Sequence, residues 1–105
     1  MHFVEIRAFT ARLRQLLSDE EYRLLQLRLA CEPTAGAVIP GSGGLRKLRW
    51  AAPGRGKRGS LRLIYFHHAR SETILLLFAF AKNERADLSS AQRDALRKVV
   101  EREYR

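Results

Sequence analysis

Only one cysteine, Cys31, occurs in the 105 residues. No disulfide can close within the chain, and a zinc site built on several thiolates is excluded. Cys31 reads as a small, partly buried apolar residue near a helix end, and its solitude fits a reducing compartment. Long apolar runs are missing too. The longest, ILLLFAFA at 74–81, falls far short of the roughly 20 residues a membrane helix needs. The opening MHFVEIRAF lacks the basic stretch and long apolar block of a signal peptide. The expectation is a single cytoplasmic domain over 1–105 with no membrane partner.

A third absence carries more weight. Residues 33–71 contain no aspartate or glutamate, yet they hold Arg46, Lys47, Arg49, Arg55, Lys57, Arg58, Arg62 and Arg70. The flanking thirds are close to neutral, so nearly all of the +9 net charge sits in the middle. A solvated surface without a partner intersperses both signs, because like charges repel over a Debye length. A block of one sign calls for a polyanion, of which nucleic acid is the commonest. The alternative is a basic surface that meets an acidic protein.

The pattern of elements is strand, helix, helix, three strands, helix. Residues 2–9 read as a strand anchored by Phe3, Ile6 and Phe9, followed from Thr10 by a short helix with Leu13, Leu16 and Leu17 at helical spacing. SDEE, Ser18 to Glu21, is a capping-box signature that starts a second helix, which Pro33 and Gly36 end. TAGAVIPGSGG at 34–44 reads as a loop. In LRKLRWA, Leu48 and Trp50 share one face and Lys47 and Arg49 the other. A hairpin, APGRGKRG, leads to the strand SLRLIYFHH, and ARSE leads to TILLLFAFA. Both of these strands are apolar on two faces, as central strands covered on both sides would be. A second capping box, Ser89 to Gln92, opens a terminal helix with Leu96, Val99 and Val100 in a stripe. The fold class is α+β: a small antiparallel sheet with two N-terminal helices and a C-terminal helix packed on it.

Several chemistries fail on spacing. GRGKRGS lacks the four residues of a nucleotide-binding phosphate loop and has no helix behind it, and GSGG at 41–44 precedes a strand. His67 and His68 are neighbours in a strand and point to opposite faces, while His2 is remote, so no metal site and no cofactor are expected. Ser60, Ser71 and Cys31 have no glycine-framed elbow or acidic orienting group.

What remains is a basic constellation. Lys47 and Arg49 project from one strand, Arg55, Lys57 and Arg58 crown the hairpin, Arg62 sits inside the next strand, and Lys82 and Arg85 follow the last. An arginine two residues from Ile64 costs desolvation unless something polar or anionic meets it. Fixed cations of this kind can stabilise the charge that builds on a phosphate when the 2′-hydroxyl of RNA attacks it. A lysine lowered by its neighbours, or a His, Glu or Tyr, could move the protons. Simple RNA binding fits the same residues.

The blocks GSGGLRKLRWAAPGRGKRGSLRLIYF and ILLLFAFAKNERADLS, followed by a helix, resemble the RelE/HigB-like toxins of bacterial type II toxin–antitoxin modules. The likeness is nearest the HigB-type branch, with its GGLRK, GKRG, R-x-IYY and KNE-x-x-DL blocks. It covers residues 39–100, and LSDEEYR adds to it earlier. The resemblance implies a RelE-like fold and a ribosome-dependent mRNA endoribonuclease that needs no metal and inhibits translation. It implies neutralisation by a cognate antitoxin, a helix-turn-helix protein with an acidic contact surface, in a hetero-oligomer. Carried over by block, the catalytic positions are Lys47, Lys57, Arg62, Lys82 and Glu84. Arg62 and Lys82 would stabilise phosphate, Lys57 or Lys47 would assist the 2′-hydroxyl, and Glu84 would be a base. RNA binding falls on Arg46, Arg49, Arg55, Arg58, Tyr65 and Arg85, with Asn83 in the same final block. The chain departs from relatives that carry a C-terminal histidine or tyrosine as general acid, since only Tyr104 stands near its end. The competing readings are a non-catalytic RNA- or ribosome-binding module and a structural subunit that meets an acidic protein.

Overall fold

A computed structural model describes residues 1–51, 60–82, 84 and 87–104. Its elements are β1 (His2–Glu5), α1 (Arg7–Leu16), α2 (Asp19–Cys31), β2 (Ala37–Val38), β3 (Arg46–Trp50), β4 (Leu61–His68), β5 (Thr73–Ala81) and α3 (Ser90–Tyr104). Both capping boxes form. Ser18 Oγ accepts from the Glu21 amide at 3.1 Å while Glu21 Oε1 accepts from the Ser18 amide at 2.9 Å. Ser89 Oγ and Gln92 Oε1 exchange the same pair of bonds at 3.1 and 3.0 Å. Each box satisfies two backbone donors that a helix start otherwise leaves open.

The first element is shorter than its apolar pattern predicts. The chain leaves the sheet at Ile6, whose amide still reaches Leu76 O at 3.1 Å, and is helical from Arg7. Ile6 occupies the cap position and offers no side-chain cap, so the sequence carries no start signal there. Phe9, Leu13 and Leu16 then lie at helical spacing against the core, and this packing overrides the strand reading of 7–9.

The sheet order is β1-β5-β4-β3-β2. Strands β3 to β5 pair antiparallel, as expected, but β1 runs parallel to β5, with His2 opposite Thr73 and Glu5 opposite Leu76. The expected loop at 34–44 includes β2, which pairs Ala37 with Lys47 and Val38 with Arg46. The β4–β5 register shifts between Ile64 and Tyr65, whose partners are Phe78 and Leu76. Leu77 is thus the extra residue of a bulge, and it joins the α3 side of the sheet.

Both sheet faces are covered, as the two-sided apolar strands require. On one side Phe9 of α1 and Leu25 and Leu29 of α2 cluster with Leu48, Leu63, Tyr65 and Leu76 of the sheet. On the other, Leu45, Ile64, Phe66, Leu75, Leu77 and Phe80 cluster with Val100 of α3, and Leu96 and Val99 pack against them. The loop before β3 is tied to α3 through Arg97 Nη1 and Gly41 O at 3.4 Å. Among the described residues no helix is long and apolar enough to cross a membrane.

Candidate nucleic-acid interface

Side chains directly opposite each other in neighbouring strands share a face. Arg49 pairs with Arg62, and Arg62 with Phe80, while Lys47 pairs with Ile64. Lys47, Arg49 and Arg62 therefore lie on the α3 side of the sheet, in two adjacent rows. Arg49 is exposed and Arg62 is 8% exposed. Two guanidinium groups facing each other across a ladder repel, and burial of one weakens the screening between them. An anion bound between them would be drawn to that arrangement.

Arg62 meets a polar partner, as its position demands. Its Nη1 donates to Ser60 Oγ at 2.7 Å. The Lys82 amide donates to Ser60 O at 3.4 Å, so exposed Lys82 stands at the same end of the sheet. Lys47 Nζ donates to Asp87 Oδ2 at 3.0 Å, and Asp87 Oδ1 accepts the Leu88 amide at 2.8 Å. These hydrogen bonds, followed by the fields of Lys47 and Arg62, hold the Asp87 carboxyl below the usual carboxylate range. Asp87 is the functional candidate that sequence reasoning missed. Its one signal was the aspartate of the KNE-x-x-DL block, and its partner lies 40 residues away in the chain.

Four other expected positions fall elsewhere. Glu84 accepts the Ala81 amide at 3.0 Å and pairs with Arg12 of α1, whose Nε donates to Ala79 O at 3.3 Å. It closes the outer edge of β5, two strand spacings or about 10 Å from β3. That placement commits the expected base to a structural contact.

Arg46 is on the α1–α2 side, donating to Gly36 O at 2.7 Å and Thr34 O at 3.4 Å. It holds the loop after α2 rather than joining Lys47 and Arg49, because its position in β3 alternates with theirs. Tyr65 is fully buried beside it. Its hydroxyl donates to Pro33 O and accepts from the Gly36 amide, both at 2.8 Å. A Cβ at residue 36 would come within 2.8 Å of the Tyr65 ring, so glycine is required there by close packing. Tyr65 thus has no face to offer a base, and the expectation that it binds RNA is corrected.

Tyr104 packs on Phe66 and His68, with ring centroids 5.8 and 4.6 Å apart. His68 ends β4 while Arg62 is near its start, a separation of about 20 Å along the strand. Tyr104 is therefore out of reach as a general acid for chemistry at Arg62. The two adjacent histidines diverge as expected. His68 Nδ1 lies 2.6 Å from Ser71 Oγ, and on the Arg46 side burial and then the Arg46 charge lower the His67 pKa below the usual imidazole value. Arg55, Lys57, Arg58, Asn83 and Arg85 lie outside the described residues. Among the described residues no three His, Cys, Asp or Glu side chains come together as metal ligands do.

Residues 11–104 match the protein-family model described as the RelE toxin of the RelE/RelB toxin–antitoxin system. Three solved structures share the fold. A free-state mutant of the E. coli toxin RelE aligns at TM-score 0.61 and 13% identity, over 94% of this chain and 96% of that one. The intact E. coli RelBE toxin–antitoxin complex aligns at 0.57 and 14%, over 76% and 94%. The isolated E. coli RelE toxin aligns at 0.57 and 15%, over 93% and 97%. At such identities the structures carry the fold, and the family match carries the relationship.

Proposed function

Because the chain belongs to the RelE toxin family of toxin–antitoxin systems, we propose that it is the toxin of a type II module and cuts mRNA on the ribosome. The reaction is attack of a ribose 2′-oxygen on the adjacent phosphorus, with loss of the 5′-oxygen of the next nucleotide. Arg62, flanked by Arg49, takes the charge that builds on the phosphate oxygens. Lys82 helps to offset that charge from the end of β5. Lys47 is paired with Asp87, an arrangement that suits an ammonium group contributing charge or a proton rather than a base. Assistance to the 2′-hydroxyl then passes to Lys57, the other candidate for that step. Arg55, Arg58 and Arg85 extend the phosphate-binding surface in this reading.

The observation that carries the proposal is the Arg49–Arg62 pair across the β3–β4 ladder, on the same face as Lys47. Induced expression should arrest growth, and mapping of 5′ ends should reveal new cuts inside translated messages. Replacing Arg62 by alanine should slow cutting by roughly 10²–10³, the usual effect of losing one charge-stabilising donor. Unchanged arrest and unchanged cuts in that variant would refute the site.

The positions of Glu84 and Tyr104 favour a second reading, a binding module that occupies RNA or the ribosome without cutting. It predicts salt-sensitive binding with no new 5′ ends. A cognate antitoxin is part of the proposal in either case, since one of the similar structures is a RelBE toxin–antitoxin complex. An acidic surface on that antitoxin would complement the +9 net charge. The HigB-type blocks point to a helix-turn-helix partner, and the cytoplasm is where the translating ribosomes are.

A further inference from the structure

Ser60 immediately precedes β4, and its carbonyl and its hydroxyl both serve the cationic face. The carbonyl accepts the Lys82 amide at 3.4 Å, which extends the β4–β5 ladder one step past the Leu61–Ala81 pair. The hydroxyl oxygen accepts from Arg62 Nη1 at 2.7 Å. Residues two apart in a strand line one face, so Ser60 and Arg62 stand on the same side of the sheet. The backbone bond fixes where the hydroxyl sits, and the hydroxyl fixes where the guanidinium points.

Burial makes that acceptor necessary. Arg62 is 8% exposed, and its other partner among the described residues is Leu61 O, at 3.5 Å the limit of a hydrogen bond. Without the Ser60 hydroxyl, Nη1 would be left nearly unpaired away from water. The long side chain would also regain rotamers that turn away from Arg49. A neutral acceptor differs from a carboxylate in what it leaves behind. Lys47 is held by Asp87, and part of its charge is offset there. Ser60 orients Arg62 without offsetting its charge, and Nε and Nη2 have no hydrogen-bond partner among the described residues. A guanidinium held in this way keeps donors and charge for an anion.

We propose that Ser60 is a positioning residue of the phosphate site, which holds the Arg62 guanidinium in its anion-binding geometry and in register with Lys82. The inference deepens the RNA-directed reading above and rests on it. An arginine already fixed in its bound geometry loses less freedom when the phosphate arrives, so the same ion pair gives tighter binding. The effect passes wholly through Arg62. Removing the hydroxyl should therefore matter only while the guanidinium is present.

The test is a double-mutant cycle in the full chain, read as affinity for a labelled oligodeoxyuridine at one fixed salt concentration. That probe lacks the 2′-hydroxyl and cannot be cut. Ser60→Ala should weaken binding about tenfold, within the range of coupled neighbours. Ser60→Thr, which keeps the hydroxyl, should bind as the wild type does. In an Arg62→Ala background, Ser60→Ala should cause no further loss. Ser60→Cys, whose thiol is a weak acceptor, takes the place of the alanine variant should that fail to fold. Unchanged affinity in Ser60→Ala, a loss in Ser60→Thr as large as in Ser60→Ala, or equal losses with and without Arg62 would each overturn the proposal. So would a wild type that does not bind the probe. Mapping of 5′ ends in cells expressing the wild type reports on the ribonuclease separately. Coupling of Ser60 to Arg62 without new cuts would uphold the positioning role and refute the ribonuclease. New cuts with additive losses would do the reverse.

Discussion

Tyr65→Phe distinguishes a structural tyrosine from one that stacks on RNA. The ring is fully buried, and phenylalanine would keep its packing while removing only the hydroxyl. That oxygen donates to Pro33 O and accepts the Gly36 amide, so the substitution leaves a buried amide without a partner. Such a donor costs about 1–3 kcal/mol, and the Pro33 carbonyl, part-buried, can turn to water. A loss of about 2 kcal/mol is expected. In a chain of this size each kcal/mol moves the melting temperature by about 4–8 °C, so calorimetry should record a fall of roughly 10 °C. A pH series adds a second signature. Burial, against smaller opposing effects of the Gly36 bond and the Arg46 charge, raises the Tyr65 pKa above its usual value. A raised pKa in the folded state contributes stability below the unfolded value of about 10, lost as pH climbs past it. The wild type should therefore lose stability above pH about 10 more steeply than the variant. Tyr22, also raised by burial, is common to both proteins and cancels in the difference. RNA affinity at neutral pH should not change. A variant that melts like the wild type but binds RNA poorly would show that Tyr65 meets bases and refute its structural role.

Three shorter predictions accompany it. Glu84→Gln should lower stability by no more than about 1 kcal/mol, the range for a partly exposed ion pair, and leave cutting intact; lost cutting at unchanged stability would restore Glu84 as the base. Arg49→Ala and Arg62→Ala should each reduce the slope of log affinity against log salt by roughly 0.7, the single-strand value per phosphate contact; unaltered slopes in filter-binding titrations would remove both from the interface. The depressed pKa of Asp87 contributes stability that is present above the unfolded value near 4 and lost as pH falls through the lower folded value. In acid titrations followed by circular dichroism, Asp87→Asn should accordingly lack part of the wild-type loss of stability below pH about 4, and superimposable curves would contradict the Lys47–Asp87 bond.

Legibility in the sequence follows the range of the interactions involved. Both capping boxes were readable because donor and acceptor lie three residues apart. Strands β4 and β5 were readable because apolar residues on both faces mark buried strands, and β3 because Leu48 and Trp50 alternate with Lys47 and Arg49. The start of α1 was not readable, since its cap position is an isoleucine and only packing of Phe9 and Leu13 decides it. Strand β2 is two exposed residues among glycines and prolines, too short for any period to register. At the site, Arg62 announced itself as a charge in an apolar strand. Asp87 did not, because its role exists only where the chain returns to Lys47.

Charge and periodicity, as properties of the chain alone, determined that this protein carries one excess of positive charge, that it builds an α+β layer, and that Arg62 is set among apolar neighbours. Tertiary structure decided which cations share a face. Strand alternation and the order β5-β4-β3 bring Lys47, Arg49 and Arg62 together and turn Arg46 and Tyr65 to the other side. Packing of the helices on the sheet pairs Glu84 with Arg12 of α1 and seats Tyr104 at the far end of β4. These outcomes depend on pairing between segments tens of residues apart, which composition and local spacing do not encode.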